Sequence, residues 1–135
     1  MNEKPTLLVV DDDKDLLRQL EFLLEDDFGK ILLSSSKEKA LQLAKEKIDV
    51  CLVDVRLSET DTANTGGLEL AKEFRKKDPA IIIVMMSRYD FEKYESLSKD
   101  ESHADAFIRK PFIMDEFVQL VNKIKEARDA GTTSH

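Results

Sequence analysis

A run of apolar residues that ends at one carboxylate, Asp54, constrains this 135-residue chain more than any other feature. Residues 50 to 53 read Val-Cys-Leu-Val, without polar alternation, and so predict a strand that is covered on both faces. Such strands lie inside parallel sheets, where ligands bind at the carboxyl ends of the strands. Asp54 is therefore well placed for chemistry, although a lone Asp at such a position more often begins a turn.

Strand patterns alternate with helix patterns along the whole chain. They predict a doubly wound parallel α/β fold, with five strands flanked by five helices in three layers. The strands are predicted at residues 6–10, 31–33, 50–54, 80–86 and 104–108. The first helix is predicted over 14–26, the second after the serine run 34–36, and the third from residue 68 to before Asp78. The fourth is predicted over 89–99, where the pattern is weak, and the fifth over 113–124.

The same patterns predict one domain over residues 1–129, followed by a disordered tail or truncated linker over 130–135. The serine run is expected to cap the second helix, and Ser35 and Glu38 have the spacing of a capping box. Asp13, at the start of the first helix pattern, is expected to cap that helix.

The composition excludes several classes of function. The 21 Lys and Arg against 28 Asp and Glu give a net charge of -7, which argues against direct binding of nucleic acid. No apolar run is long enough to span a membrane, and the first residues lack the pattern of a signal peptide, so a cytoplasmic protein without membrane contact is expected. Cys51 is the only cysteine and is expected to be a core residue.

Polar residues end most of the predicted strands. Because parallel strands end at one edge of the sheet, the fold should bring together three carboxylates, one hydroxyl and one amine: Asp11, Asp12, Asp54, Ser87 and Lys110. Clustered carboxylates repel one another and either recruit a cation or raise a pKa. An oxygen-only site suits Mg²⁺, or Mn²⁺ in its place. Taken singly, Ser87 would be a turn residue and Lys110 a surface lysine.

Four motifs in sequence order resemble the receiver domain of two-component response regulators. They are Leu7-Leu-Val-Val-Asp-Asp-Asp13, Leu52-Val-Asp54, Val84-Met-Met-Ser87 and Ala106-Phe-Ile-Arg-Lys-Pro-Phe112. The resemblance covers residues 6 to about 127 and implies a flavodoxin-like sheet of strand order 2-1-3-4-5. It also implies a phosphorelay function, in which Asp54 accepts a phosphoryl group from a sensor histidine kinase or phosphotransfer protein, with the domain catalysing its own phosphotransfer and autodephosphorylation.

The resemblance assigns a role to each residue of the cluster. Asp11, Asp12, Asp54 and the backbone carbonyl of Arg56 would hold Mg²⁺, and Lys110, before a cis bond to Pro111, would pair with the phosphoryl group. Ser87 would bind a phosphoryl oxygen, and the aromatic Phe107 would switch with it. The surface of the fourth helix, fifth strand and fifth helix would then change, which affects a downstream output domain or protein, and a homodimer through this surface is possible.

Two features depart from the family pattern. Arg88 stands where the family usually has a small residue, and Arg56 is a second cation near Asp54; the two are expected to slow phosphotransfer and hydrolysis unless both point into solvent. The loop of residues 58–65 is long, with Ser58 at the usual proline position and Gly67 thirteen positions after Asp54. This loop is expected to be mobile without ligand.

Three other functions remain open at this point. A nucleotide or flavin binder of the same architecture would need a Gly, Ser or Thr-rich loop after the first strand, where this chain has three aspartates. An aspartyl-phosphate phosphatase would need an acid at Arg56. A degenerate receiver could act as a protein-binding module without phosphorylation. His103 is interpreted as a loop residue rather than a metal ligand.

Overall fold

The computed structural model describes residues 4–57, 66–88 and 104–133, with side chains up to residue 130. Within these ranges the chain forms five strands and four helices. The strands are β1 (Thr6–Val10), β2 (Lys30–Ser34), β3 (Val50–Asp54), β4 (Ile82–Ser87) and β5 (Ala106–Arg109). The helices are α1 (Lys14–Leu24), α2 (Lys37–Leu43), α3 (Gly66–Lys77) and α4 (Met114–Thr133).

All five strands pair in parallel in the order β2-β1-β3-β4-β5, which confirms the expected topology. β3 lies in the middle, with Cys51 beside Leu8 of β1 and beside Ile83 of β4. All five residues of β3 are buried, as its unbroken apolar run predicts. The predicted helix over 89–99, the loop over 58–65 and His103 lie outside the described residues.

Two apolar cores lie on opposite faces of the sheet, because side chains alternate along each strand. One contains Cys51 and Val53 of β3 together with residues of α2 and α3 such as Ala40 and Phe74. The other contains Leu52 of β3 together with residues of α1 and α4, and in it the ring of Phe28, from the segment between α1 and β2, stacks on that of Phe117. The helices therefore form layers on both faces, and Cys51 is a buried core residue as predicted.

Side chains fix where two of the helices begin. The carboxylate of Asp13 accepts the backbone N–H groups of Asp15 and Leu16 at 3.1 and 3.2 Å, which confirms Asp13 as the cap of α1. The second cap is Ser36, whose hydroxyl accepts the N–H of Lys39 at 3.2 Å. The capping-box spacing suggested Ser35 and was wrong by one residue.

Several element boundaries differ from the predicted ones, among them those of β4 and α4. β4 begins at Ile82 rather than at residue 80, because the carboxylate of Asp78 accepts the N–H of Ala80 and holds a turn there. α4 continues to Thr133, beyond its last predicted apolar anchor, so it enters the segment expected to be a tail; good helix formers such as Lys125, Glu126 and Ala127 favour the first part of this extension. None of the described helices is long and apolar enough to cross a membrane.

Candidate functional site

The carboxyl ends of four strands carry the predicted site residues. Asp11 directly follows β1, Asp54 and Ser87 are the last residues of β3 and β4, and Lys110 directly follows β5. All four are buried in spite of their polar side chains. The backbone N–H of Lys110 donates to the carbonyl of Ser87 at 2.9 Å, which fastens the end of β5 to the end of β4.

The side chain of Lys110 joins two of the carboxylates directly. Its Nζ lies 2.5 Å from Oδ2 of Asp11 and 3.1 Å from Oδ2 of Asp54. Asp11 is almost wholly buried and accepts the N–H of Asp13 through Oδ1, so both of its oxygens are engaged. Asp54 accepts the N–H of Arg56 through Oδ1 at 3.3 Å. One ammonium group is thus shared between two buried acids, and the bond from Lys110 to Pro111 is cis.

Burial and mutual repulsion make these acids hard to ionise. Burial, and to a lesser extent the nearby charge of Asp11, raise the pKa of Asp54 to about 7 against the opposing attraction of Lys110. Burial likewise raises the pKa of Asp11 above its ordinary value against the attraction of Lys110. Burial alone would lower the pKa of Lys110, but the carboxylates of Asp54 and Asp11 outweigh it and raise this pKa. Among the described residues of the cluster, the carboxylates of Asp11 and Asp54 therefore carry more negative charge than Lys110 neutralises.

Asp12 completes a set of three carboxylates. Asp11, Asp12 and Asp54 each offer one oxygen, and these atoms all lie within 4.8 Å of one another. Oxygen donors at such spacing fit a hard divalent cation, which would also offset the excess negative charge. The donor set is thus chemically suitable for Mg²⁺.

Gly67 contacts the backbone of the central acid, a contact that sequence reasoning missed. A Cβ atom at this position would lie 1.8 Å from the carbonyl oxygen of Asp54 and 2.9 Å from the Cα of Val55. The N–H of Gly67 donates to the carbonyl of Val55 at 3.0 Å. Only glycine allows α3 to begin this close to the end of β3. The Gly66-Gly67 pair was the available signal, but it indicated only the end of the loop.

The predicted modulating residues occupy different environments. Arg88, next to Ser87, is exposed, whereas Arg56 is partly buried. Phe107 lies on β5 beside Met85 and packs, partly buried, against the core that faces α2 and α3. Arg56 and Arg88 thus differ in exposure, and the modulating role expected for them stays a prediction.

A second charged cluster lies at the opposite edge of the sheet and was also missed. The carboxylate of Asp105 accepts guanidinium N–H groups of Arg75 at 2.8 Å and of Arg128 at 2.9 Å. It also accepts the backbone N–H of Ile83, and both arginines donate to the carbonyl of Ile81. This cluster ties α3 and α4 to the start of β4. Residues from distant parts of the chain form it, so no local pattern indicates it.

Comparison with known families identifies this class of domain. The family described as response regulator receiver domain matches residues 7–122. The chain belongs to this family, as the four motifs indicated. Receiver domains generally bind Mg²⁺ at a cluster of acidic residues, and the described Asp cluster corresponds to such a site.

Individual relatives agree with this assignment. The alkaline phosphatase synthesis transcriptional regulatory protein PhoP of Bacillus subtilis (strain 168) is 33% identical over 113 residues, which cover 83% of this chain and 44% of that protein. The transcriptional regulatory protein CpxR of Klebsiella pneumoniae is 29% identical over 118 residues, covering 87% of this chain and 48% of that protein. This chain thus spans less than half of these relatives.

Solved structures give the same result at the level of the fold. A CheY-like receiver domain from Methanospirillum hungatei JF-1 is 25% identical, with a TM-score of 0.76 over 99% of this chain and 100% of that one. The Francisella response regulator 1452 receiver domain is also 25% identical, with a TM-score of 0.75 over 93% of this chain and 99% of that one. The chain is a receiver domain of the kind found in response regulators.

Proposed function

We propose that Asp54 is the phosphoryl acceptor of this receiver domain. One observation carries the proposal: Oδ2 of Asp54 lies 3.1 Å from the ammonium group of Lys110, among carboxylate oxygens within 4.8 Å of one another. The phosphoryl donor is a phosphohistidine of a sensor histidine kinase or of a phosphotransfer protein. Water can hydrolyse the acyl phosphate at the same site, which returns the domain to its unphosphorylated state.

In the transfer, an oxygen of Asp54 attacks phosphorus while the bond from phosphorus to the imidazole nitrogen breaks. Protonation of that nitrogen leaves neutral histidine on the donor and an acyl phosphate on Asp54. Such reactions are catalysed mainly by positioning and by neutralising charge. Lys110 provides one positive charge from within the chain. Asp11, Asp12, Asp54 and the carbonyl of Arg56 would hold Mg²⁺ or Mn²⁺, which neutralises charge on the phosphoryl oxygens.

Phosphorylation changes which contacts Lys110 can make. The new dianion attracts the ammonium group, which in the described structure lies between Asp11 and Asp54. Ser87 ends the neighbouring strand and donates its hydroxyl to a phosphoryl oxygen. Phe107, partly buried on β5, then repacks and alters the surface that β5 forms with α4. This surface is where a downstream output domain or protein, or a second copy of the chain, would bind.

Phosphorylation in vitro tests the acceptor. The protein is incubated with Mg²⁺ and acetyl phosphate, and intact mass spectrometry should detect a gain of about 80 Da, the mass of one phosphoryl group. Asp54→Asn should abolish the gain. Asp13→Asn is the matched control, because it removes a carboxylate from the same edge, keeps a residue that caps α1, and should still be labelled. No gain in the parent protein, or an undiminished gain in Asp54→Asn, would favour a phosphorylation-independent interaction module.

We further infer that Arg88 lengthens the life of the acyl phosphate. It is an exposed cation directly after Ser87, at the edge where the phosphoryl group would form. A guanidinium there can pair with phosphoryl oxygens and hinder both donor and water. Arg88→Ala should therefore be phosphorylated and hydrolysed faster, whereas Arg109→Ala, at an exposed arginine ending β5, should not. Equal rates for the parent protein and Arg88→Ala would contradict this role.

A further inference from the structure

A cavity of about 480 Å³ opens at the amino-terminal edge of the sheet, at the opposite end of the strands from Asp54. The cavity, called the basic bowl below, lies where the chain enters β1 and β3 and where α4 passes them. It is lined by Lys4, Pro5, Thr6, Lys47, Asp49 and Lys125. A smaller cavity of about 80 Å³ adjoins it and shares Pro5 and Lys125.

The basic bowl carries an excess of positive charge in an acidic chain. It contains three lysines and one carboxylate, although the whole chain has a net charge of -7. Oδ2 of Asp49 accepts the backbone N–H of Thr6 at 2.9 Å, and Lys4 donates to a backbone carbonyl at 2.6 Å. Neither contact neutralises a lysine. The side chains of Lys47 and Lys125 form no ion pair or hydrogen bond with any residue that the structure describes.

The usual role of a lysine at the end of a helix does not account for Lys4 and Lys125. Basic residues often stand in the last turn of a helix, where they complement its dipole. Lys125, however, lies eight residues before the end of α4 at Thr133, and Lys4 precedes β1. Lys125 is also only partly exposed, so its charge is partly removed from water without a compensating anion among the described residues. This position favours an anionic ligand.

We propose that the basic bowl binds a phosphorylated small molecule of the size of a nucleoside or sugar diphosphate. The cavity volume lies within the range of about 300–1,000 Å³ that is typical of small-molecule sites. A diphosphate matches the excess charge, and ammonium groups are common phosphate ligands. The second oxygen of Asp49 can accept a ligand hydroxyl, since its first is taken by Thr6. Such a ligand would regulate or report on the domain from the edge that faces away from Asp54.

Binding can be measured on the whole chain in EDTA, which removes cations that would carry phosphates to Asp54. Pyrophosphate and ADP are titrated separately while amide signals are followed by ¹⁵N NMR, with adenosine as the uncharged control. Both anions should shift the signals of residues 4–6, 47–49 and 125, and adenosine should not. Binding should weaken at high salt, because screening reduces the attraction between the charges.

Variants identify which lysines bind. Lys47→Gln and Lys125→Gln should each raise the Kd at least fivefold. Lys76→Gln, at an exposed lysine in the last turn of α3 outside the bowl, and Asp54→Asn should change it less than twofold. Lys47 is exposed, so its variant tests the proposal even if Lys125→Gln fails to fold.

Two outcomes would overturn the proposal. One is the absence of shifts around the bowl up to about 10 mM ligand, where even weak binding becomes detectable. The other is an equal loss of affinity in Lys76→Gln, which would indicate attraction to lysines in general. The first outcome includes shifts confined to Asp11, Asp54 and Lys110, which would place the anion at the phosphoacceptor edge instead.

Discussion

Replacing Asp54 with Asn should stabilise the metal-free protein, and the gain should grow with pH. Asp54 is only 8% exposed, and burial raises its pKa from the ordinary 3.8 to about 7. The folded protein therefore binds a proton at this carboxyl more tightly than the unfolded chain does. The folded state loses this advantage as pH rises from about 4 through about 7, so ionised Asp54 destabilises the fold at higher pH.

The magnitude follows from the two pKa values. At about 1.4 kcal/mol per pKa unit, a rise from 3.8 to about 7 makes ionised Asp54 cost about 4 kcal/mol of stability at pH 8. At pH 5, only little more than one pH unit above the pKa of the unfolded carboxyl, the cost is smaller, between about 1 and 2 kcal/mol. Asn has the same shape and carries no charge, so its advantage over Asp should increase by about 2–3 kcal/mol between these pH values.

Urea unfolding in EDTA at pH 5 and pH 8, followed by circular dichroism, measures the difference. Asp129→Asn, at an exposed carboxylate on α4, is the matched control for the loss of one negative charge and should leave the free energy of unfolding nearly unchanged at both pH values. Mg²⁺ should then stabilise the parent protein more than Asp54→Asn, because a cation offsets the repulsion between ionised carboxylates. A stability difference that is the same at pH 5 and pH 8 would refute the reasoning.

Three further predictions follow from single contacts. Gly67→Ala should destabilise the fold by several kcal/mol and slow the phosphorylation of Asp54, because the new Cβ would collide with the carbonyl of Asp54. Lys72→Ala, on the exposed side of α3, is the control and should do neither. Urea unfolding measures the first effect, and labelling with acetyl phosphate measures the second. Asp13→Ala should lower the free energy of unfolding in urea by about 1 kcal/mol, because the cap of α1 is lost. Asp13→Asn should keep most of that stability, because Asn can also cap a helix. Cys51 should react with thiol reagents only on unfolding, since burial raises the pKa of its thiol, and rapid reaction in the native protein would contradict its core position.

Local patterns determined much of the architecture. The unbroken apolar run from Val50 to Val53 predicted a central strand, and that strand pairs with a neighbour on each side. Asp13 was recognised as a cap because a cap acts on the next three residues of the chain. Patterns were least accurate at the ends of elements, because a single hydroxyl or carboxylate there determines where the helix or strand begins. Ser36 rather than Ser35 caps α2, and the turn held by Asp78 moves the start of β4 to a later residue.

Contacts between residues that are distant in the sequence could not be predicted from local sequence patterns. Arg75 lies on α3, Arg128 on α4 and Asp105 directly before β5, and nothing in their sequence neighbourhoods indicates that two guanidinium groups share one carboxylate. The shared ammonium group of Lys110 is a similar case. Its position at the end of β5 was predictable, but its simultaneous contacts with Asp11 and Asp54 depend on side chains that approach across 99 and 56 residues of sequence.

The sequence by itself determined the class of domain and the edge of the sheet at which its acids meet, because apolar periodicity and the ends of strands are local properties. Only the tertiary structure decided how closely those acids are packed, how strongly burial resists their ionisation, and that Gly67 must lie against the backbone of Asp54. It also decided that the lysines of the basic bowl converge around one cavity. Distances and burial between remote residues arise only when helices pack on both faces of the sheet, and those quantities set the chemistry at each edge.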